Sequence, residues 1–268
     1  MESIVLAIII VAAIGLIAGL GLAVASKVMA VPVDEKAEKI KAVLPGANCG
    51  ACGFSGCAGY AAALSEGKTK NTALCAPGGT AVSLEVAKIT GLSAGSVVPS
   101  SAVVLCRGTS QNVSKRFVYS GVESCKMAAQ LFGGPNSCSF GCLGYGDCAA
   151  QCEYDAIHIC DGVARINPVA CHACKKCVNT CPRGIIKMLP LNMAKAAVLC
   201  NNHSKGAQTR KDCSAGCIGC MKCEKTCEYG AVKVVNFCAV VDYEKCVGCG
   251  KCHEACPVKC IDIMNLKA

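Results

Sequence analysis

The stretch Cys171-His-Ala-Cys-Lys-Lys-Cys-Val-Asn-Thr-Cys181-Pro182 decides the reading of this chain. Its spacing, Cys-x2-Cys-x2-Cys-x3-Cys-Pro, is that of a four-iron cluster run, with three close thiolates on one cubane and a fourth reaching a neighbouring one. The run recurs as Cys246, Cys249, Cys252, Cys256 and Pro257, and without the proline as Cys217, Cys220, Cys223 and Cys227. A shift of 75 residues lays Cys171 on Cys246, Cys181 on Cys256, Cys152 on Cys227, Cys148 on Cys223, Cys142 on Cys217 and Cys138 on Cys213. Glu153-Tyr154 falls on Glu228-Tyr229. Such self-similarity marks tandem copies of one unit. Each copy is a two-cluster module, with short strands such as Ala156–Ile159 and Ala231–Val235 between its halves.

In two-cluster ferredoxins the fourth cysteine of each run ligates the other cluster. The second module then holds one cluster on Cys217, Cys220, Cys223 and Cys256 and another on Cys246, Cys249, Cys252 and Cys227, with Cys213 a competitor for the place of Cys220. The first module departs at Tyr145, which stands where the second has Cys220. A cubane needs a fourth thiolate, so Cys138 is expected to substitute. This predicts Cys138, Cys142, Cys148 and Cys181 for one cluster, and Cys171, Cys174, Cys177 and Cys152 for its neighbour.

Composition fits an interior filled by something other than large side chains. The 268 residues include 27 cysteines but only five Phe, six Tyr and no Trp. A disulfide scaffold suits short secreted chains; here the cysteine count is odd and the spacings are those of metal ligands. The formal charge of +9 comes from scattered Lys and Arg, without the basic runs or interleaved aromatics of a nucleic-acid binder. Each oxidised four-thiolate cluster carries about −2, so five bring the chain close to neutral. His158, His172, His203 and His253 form no metal or catalytic pair. No nucleotide fingerprint, catalytic triad or paired carboxylates stand out, so no catalytic residue is predicted.

Two features precede the modules. Ile4 to Ala25 is an uncharged run of 22 residues, long enough to cross a bilayer as a helix. Ala23-Val24-Ala25 resembles a cleavage site, but the run lacks a basic n-region and exceeds a usual signal core. It reads as a retained anchor. Lys27, Lys36, Lys39 and Lys41 follow it, which puts the body of the chain on the cytoplasmic side. After Pro32, Asp34 to Leu44 has helical spacing. Then Cys49-x2-Cys52-x4-Cys57, set in glycine, and the distant Cys75 supply four thiolates for a further cubane, with zinc as the alternative. Thr80 to Ile89 reads as a closing helix.

The expected architecture is α+β: a single N-terminal transmembrane helix (1–26), a small helical four-iron cluster domain (27–92), and two tandem ferredoxin-like two-cluster modules (93–190 and 191–268). Five clusters account for twenty cysteines. Of the seven left over, Cys160, Cys238 and Cys260 fit small buried hydrophobes. Cys106, Cys125, Cys200 and Cys213 number enough for a sixth cluster. Cys106 and Cys200 each end a Val-Leu-Cys segment, and Cys125 falls on Cys200 under the shift.

The order of helix, Cys-Gly-Ala-Cys-Gly domain and ferredoxin modules resembles the RnfB component of the Rnf electron-transport complex. The resemblance rests on Asn48-Cys-Gly-Ala-Cys-Gly-Phe-Ser-Gly-Cys57, Gly141-Cys-Leu-Gly-Tyr-Gly-Asp-Cys148 and Lys211-Asp-Cys-Ser-Ala-Gly-Cys-Ile-Gly-Cys220, and covers nearly the whole chain. It implies a relay at the cytoplasmic membrane that takes electrons from soluble reduced ferredoxin and passes them to sister Rnf subunits, which carry the flavins and the NAD site and move Na+ or H+. A stand-alone polyferredoxin serving a hydrogenase or dehydrogenase is the alternative. A corrinoid iron–sulfur protein shares the Cys49–Cys75 type of domain, but no residues remain here for its cobalamin-binding barrel.

Overall fold

The computed structural model describes residues 2–28, 34–191 and 194–264; Pro32 and the last four residues lie outside them. Helix α1 (Glu2–Val28) contains a 19-residue stretch, Ile9–Lys27, with a mean hydropathy of 2.5 and none of it buried. It is the one helix among the described residues long and apolar enough to span a membrane. A helix apolar on all sides needs lipid or another protein around it.

Three helices form the next unit: α2 (Glu35–Val43), α3 (Cys57–Ser65) and α4 (Gly79–Thr90). Asp34 caps α2, its carboxylate accepting from the N–H groups of Lys36 (2.9 Å) and Ala37 (3.2 Å). Ile40, Tyr60, Leu64 and Val86 meet in a core that also takes in Cys75, Cys52 and Cys57. Tyr60 donates its hydroxyl to the Asn71 carbonyl at 2.8 Å, which satisfies the one polar end of that core.

The rest is short elements around cysteine loops. In chain order they are β1 (Ser100–Val104), α5 (Cys125–Gln130), α6 (Asp147–Ala150), β2 (Ile157–Cys160), β3 (Val163–Ile166), α7 (Lys176–Thr180) and β4 (Ile186–Pro190). There follow β5 (Lys195–Val198), α8 (Gly206–Asp212), α9 (Lys222–Thr226), β6 (Val232–Val235), β7 (Cys238–Val241), α10 (Lys251–Glu254) and β8 (Ile261–Met264). Four antiparallel two-stranded sheets result, pairing β1 with β4, β2 with β3, β5 with β8 and β6 with β7. The 75-residue repeat is therefore structural: β2–β3 matches β6–β7, and β4 matches β8. Even the exposed ion pair Lys176–Glu153 recurs as Lys251–Glu228.

A separate apolar group joins the two halves. Val103 and Leu189 of the β1–β4 sheet meet Ala197 of β5 and the following Leu199. Arg107 reaches the Lys259 carbonyl and pairs with Asp262 at 2.8 Å, and the Val113–Cys213 bridge adds a backbone link.

Ile40 is fully buried among α2, α3 and α4. Ile40→Ala should cost this unit about 2–5 kcal/mol and lower its thermal unfolding transition in anaerobically prepared protein. An unchanged transition would contradict this packing.

Candidate iron–sulfur centres

Four loops share one backbone design. The residue before the second thiol position (Gly144, Ala173, Gly219, Gly248) has φ of 78°, 55°, 64° and 71°, and the residue after it (Gly146, Lys175, Met221, Gly250) has 83°, 60°, 59° and 87°. Left-handed backbone turns successive N–H groups inward, a shape suited to anions. At Gly248 the turn also permits close approach, since a Cβ there would lie 2.3 Å from the Ala194 carbonyl oxygen. The loop around Tyr145 keeps this path although it has lost the thiol.

Donors to sulfur recur in the same register. Ala156 N–H lies 3.4 Å from Cys152 Sγ and Ala231 N–H 3.3 Å from Cys227 Sγ. Ala102 N–H lies 3.5 Å from Cys171 Sγ and Ala196 N–H 3.4 Å from Cys246 Sγ.

Three small hollows are lined by cysteines, four each in two of them and five in the third. Cys152, Cys171, Cys174 and Cys177 line one, together with the stacked Tyr154–His172 pair (centroids 4.1 Å apart). Cys142, Cys148 and Cys181 line the second with Cys125, whereas Cys138, expected in this set, is not among its lining residues. Cys138 lines the third hollow with Cys106, Cys200, Cys213 and Cys142, the last shared with the second hollow. The set of Cys106, Cys125, Cys200 and Cys213 expected from sequence differs from this lining, which has Cys138 and Cys142 and lacks Cys125.

The physical reason lies in two anchors. Asp147, one residue before Cys148, accepts from the N–H groups of Cys125 (2.9 Å) and Lys126 (3.0 Å) and from the Ser124 hydroxyl (2.9 Å). Partial burial works to raise this carboxyl, but the two N–H groups and the hydroxyl outweigh it and hold its pKa below the usual value. That clamp brings the start of α5 against the ligand loop. Cys138, by contrast, follows Ser137, whose hydroxyl donates to the Asp212 carbonyl at 3.0 Å and turns the loop toward the second module.

In that module Cys223 lies within the electrostatic reach of Cys217, Cys220 and Cys256, and Cys252 within that of Cys246, Cys249 and Cys227. Cys75 is similarly placed with Cys57, Cys49 and Cys52. Asn48 braces that last loop, its Oδ1 accepting from Cys57 N–H at 3.0 Å. Burial pushes the Cys106 and Cys148 thiols up to about 12, so without metal they keep their protons.

The donor sets fit a multi-iron cluster better than one ion. Zinc needs four sulfurs about 2.3 Å from a single point, whereas among the described residues no group of His, Cys, Asp or Glu side chains is disposed to hold an ion. The thiols face hollows instead. The Cys125 hollow is also lined by Arg183, whose Nε is the one buried side-chain nitrogen or oxygen among the described residues without a partner. A cation with an unused N–H suits an anionic cluster.

Known proteins agree with this chemistry. A family described as "Putative Fe-S cluster" matches residues 44–77, and two described as "4Fe-4S binding domain" match 239–262 and both 169–184 and 214–230. The chain is 44% identical to the B component of the Na(+)-translocating ferredoxin:NAD(+) oxidoreductase complex of Acetobacterium woodii, over 86% of this chain and 69% of the relative. Identity is 39% to the B component of the proton-translocating ferredoxin:NAD(+) oxidoreductase complex of Clostridium ljungdahlii (90% and 85% covered). It is 37% to the B component of the ion-translocating oxidoreductase complex of Methanosarcina acetivorans (88% and 89%). The chain belongs to this RnfB family. Membership favours a membrane-associated part of a larger complex over a stand-alone polyferredoxin. The matched family stretches leave out Cys106, Cys125, Cys138, Cys200 and Cys213, the residues whose grouping came from the fold.

Of the remaining thiols, Cys238 and Cys260 are 2% and 1% exposed, and their counterparts one repeat earlier are the buried Val163 and Ile185. Cys160, expected to be buried, is exposed where β2 meets the two-residue turn into β3, paired with Val163.

Cys125→Ser should lower the iron content of anaerobically purified protein by about four atoms, and adding Tyr145→Cys should restore them, because the Tyr145 loop already has the required path. Full iron in the single variant would contradict the assignment of Cys125.

Proposed function

We propose that the chain holds six four-iron clusters in one continuous series and relays electrons from reduced ferredoxin toward the membrane subunits of an ion-translocating ferredoxin:NAD oxidoreductase. The carrying observation is the hollow lined by Cys106 and Cys138 of the first module and Cys200 and Cys213 of the second, with Cys142 shared from the neighbouring hollow; it lies between the modules. Each bound cluster would supply a one-electron redox step.

The chain's own residues set the order of sites. Lys175 Nζ donates to the Ala51 carbonyl at 3.4 Å, so the Cys49–Cys75 loop lies against the loop of Cys174. Cys148 stands between that hollow and its own partners, within reach of both Cys177 and Cys181. Cys142 N–H then points at Cys106 Sγ, and across the junction Cys217 N–H points at Cys200 Sγ. Cys256 and Cys227 cross-link the last two sites. The series supports a reading of Cys49, Cys52, Cys57 and Cys75 at one end and Cys227, Cys246, Cys249 and Cys252 at the other.

Cys220 and Cys249 are the exposed members of the proposed ligand sets, which favours the second module as the entry for a soluble donor. The other end follows the apolar helix in the chain. Lys27, Lys36, Lys39 and Lys41 beyond that helix support a cytoplasmic placement of the cluster-bearing part, with the helix in the bilayer. No residues for flavin, nicotinamide or ion binding are assigned, so those steps belong to partner subunits, and whether Na+ or H+ is moved is set there.

Mixing the anaerobic protein with reduced low-potential ferredoxin should bleach its visible absorbance and generate EPR signals of reduced four-iron centres. If ferredoxin reduces no centre, the relay reading falls.

A further inference from the structure

The junction hollow has an approximate two-fold symmetry, which the Asn202 side chain breaks beside Cys138. Cys106 corresponds to Cys200, each ending a Val-Leu-Cys strand, and Cys138 corresponds to Cys213. The backbone obeys this exchange. Gly108 N–H lies 3.4 Å from Cys106 Sγ, as Asn202 N–H lies 3.4 Å from Cys200 Sγ. Cys142 N–H lies 3.4 Å from Cys106 Sγ, and Cys217 N–H 3.2 Å from Cys200 Sγ.

The exception is the Asn202 side chain, 1% exposed, whose Nδ2 lies 3.6 Å from Cys138 Sγ. Its orientation is fixed from the other end. Asn202 Oδ1 accepts the Ser204 N–H at 2.8 Å, so the group facing sulfur is the NH2 donor. Its counterpart is Gly108, where a Cβ would lie 2.8 Å from Val113 Cγ2 and 3.7 Å from Cys213 Sγ. No matching amide fits there. Among the described residues Asn202 is the one side-chain amide that donates to a cysteine sulfur.

We infer that Asn202 sets the redox potential of the junction centre by donating to Cys138 sulfur, a positioning and tuning role that rests on the six-site reading. A donor to sulfur stabilises the more negative, reduced state and so raises the potential. In a site closed to water the effect is not diluted by competing solvent. Asn202 also places the extra donor on a first-module ligand, making the two faces of a near-symmetric site electrically unequal.

The test is an anaerobic EPR-monitored redox titration of the full chain, with Cys213→Ser identifying the junction signal by its loss. Asn202→Leu, close in shape but without a donor, should retain iron and shift only that signal to lower potential. Asn202→Asp, which replaces the donor by an acceptor, should shift it the same way. Full iron with an unmoved junction potential would overturn the role of Asn202. Loss of about four irons in both variants would overturn it too, making Asn202 a structural brace for the loop. A wild-type chain with about 20 irons, and no signal lost in Cys213→Ser, would instead overturn the six-site reading itself.

Discussion

Sulfur in a dry interior carries negative charge only when metal and N–H groups share it. The architecture follows from that constraint. Loops of left-handed residues turn backbone N–H groups toward the thiols, short strands fix where those loops begin, and helices of four or five residues place the next cysteine. Side-chain cores remain small because cysteine-lined hollows occupy the places where large apolar residues would otherwise pack. The excess of basic residues belongs to the same account. With the six proposed sites at about −2 each, the formal +9 becomes about −3, so scattered Lys and Arg offset most of the buried charge.

The repeat accounts for the proposed series of six sites. Copies of a module bring copies of the same loops, and divergence at a few positions reassigns their thiols. In the first module Tyr145 leaves its loop one thiol short, and the Asp147 clamp brings Cys125 against that loop. In the second, Cys220 is present, so Cys200, the counterpart of Cys125, is free to face the junction. There it meets Cys138 and Cys213, which are counterparts of each other, and Cys106, which is its own strand-end equivalent.

Much of this was legible in the sequence because local spacing dictates local ligation. The runs beginning at Cys171, Cys217 and Cys246, the Cys49–Cys57 triplet, the helices at Asp34 and Thr80 and the strands after Cys152 and Cys227 all follow from short-range pattern. The exchange of Cys125 and Cys138 did not, because both lie in loops outside any run and their direction is set by contacts from afar: Asp147 for one, the Ser137–Asp212 contact for the other. The signal that could have found it was the pairing of Cys138 with Cys213 and of Cys106 with Cys200, which together describe one symmetric site. Cys160 failed differently, since an apolar-looking strand end gives no sign that its sheet has only two strands.

The central claim is that the two modules are joined through a metal centre rather than only by packing. Iron and acid-labile sulfide, measured on the anaerobically purified intact chain against its amino-acid content, address it directly. The account predicts about 24 of each per chain. About 20 of each, the count for five centres, would contradict it, as would iron without sulfide.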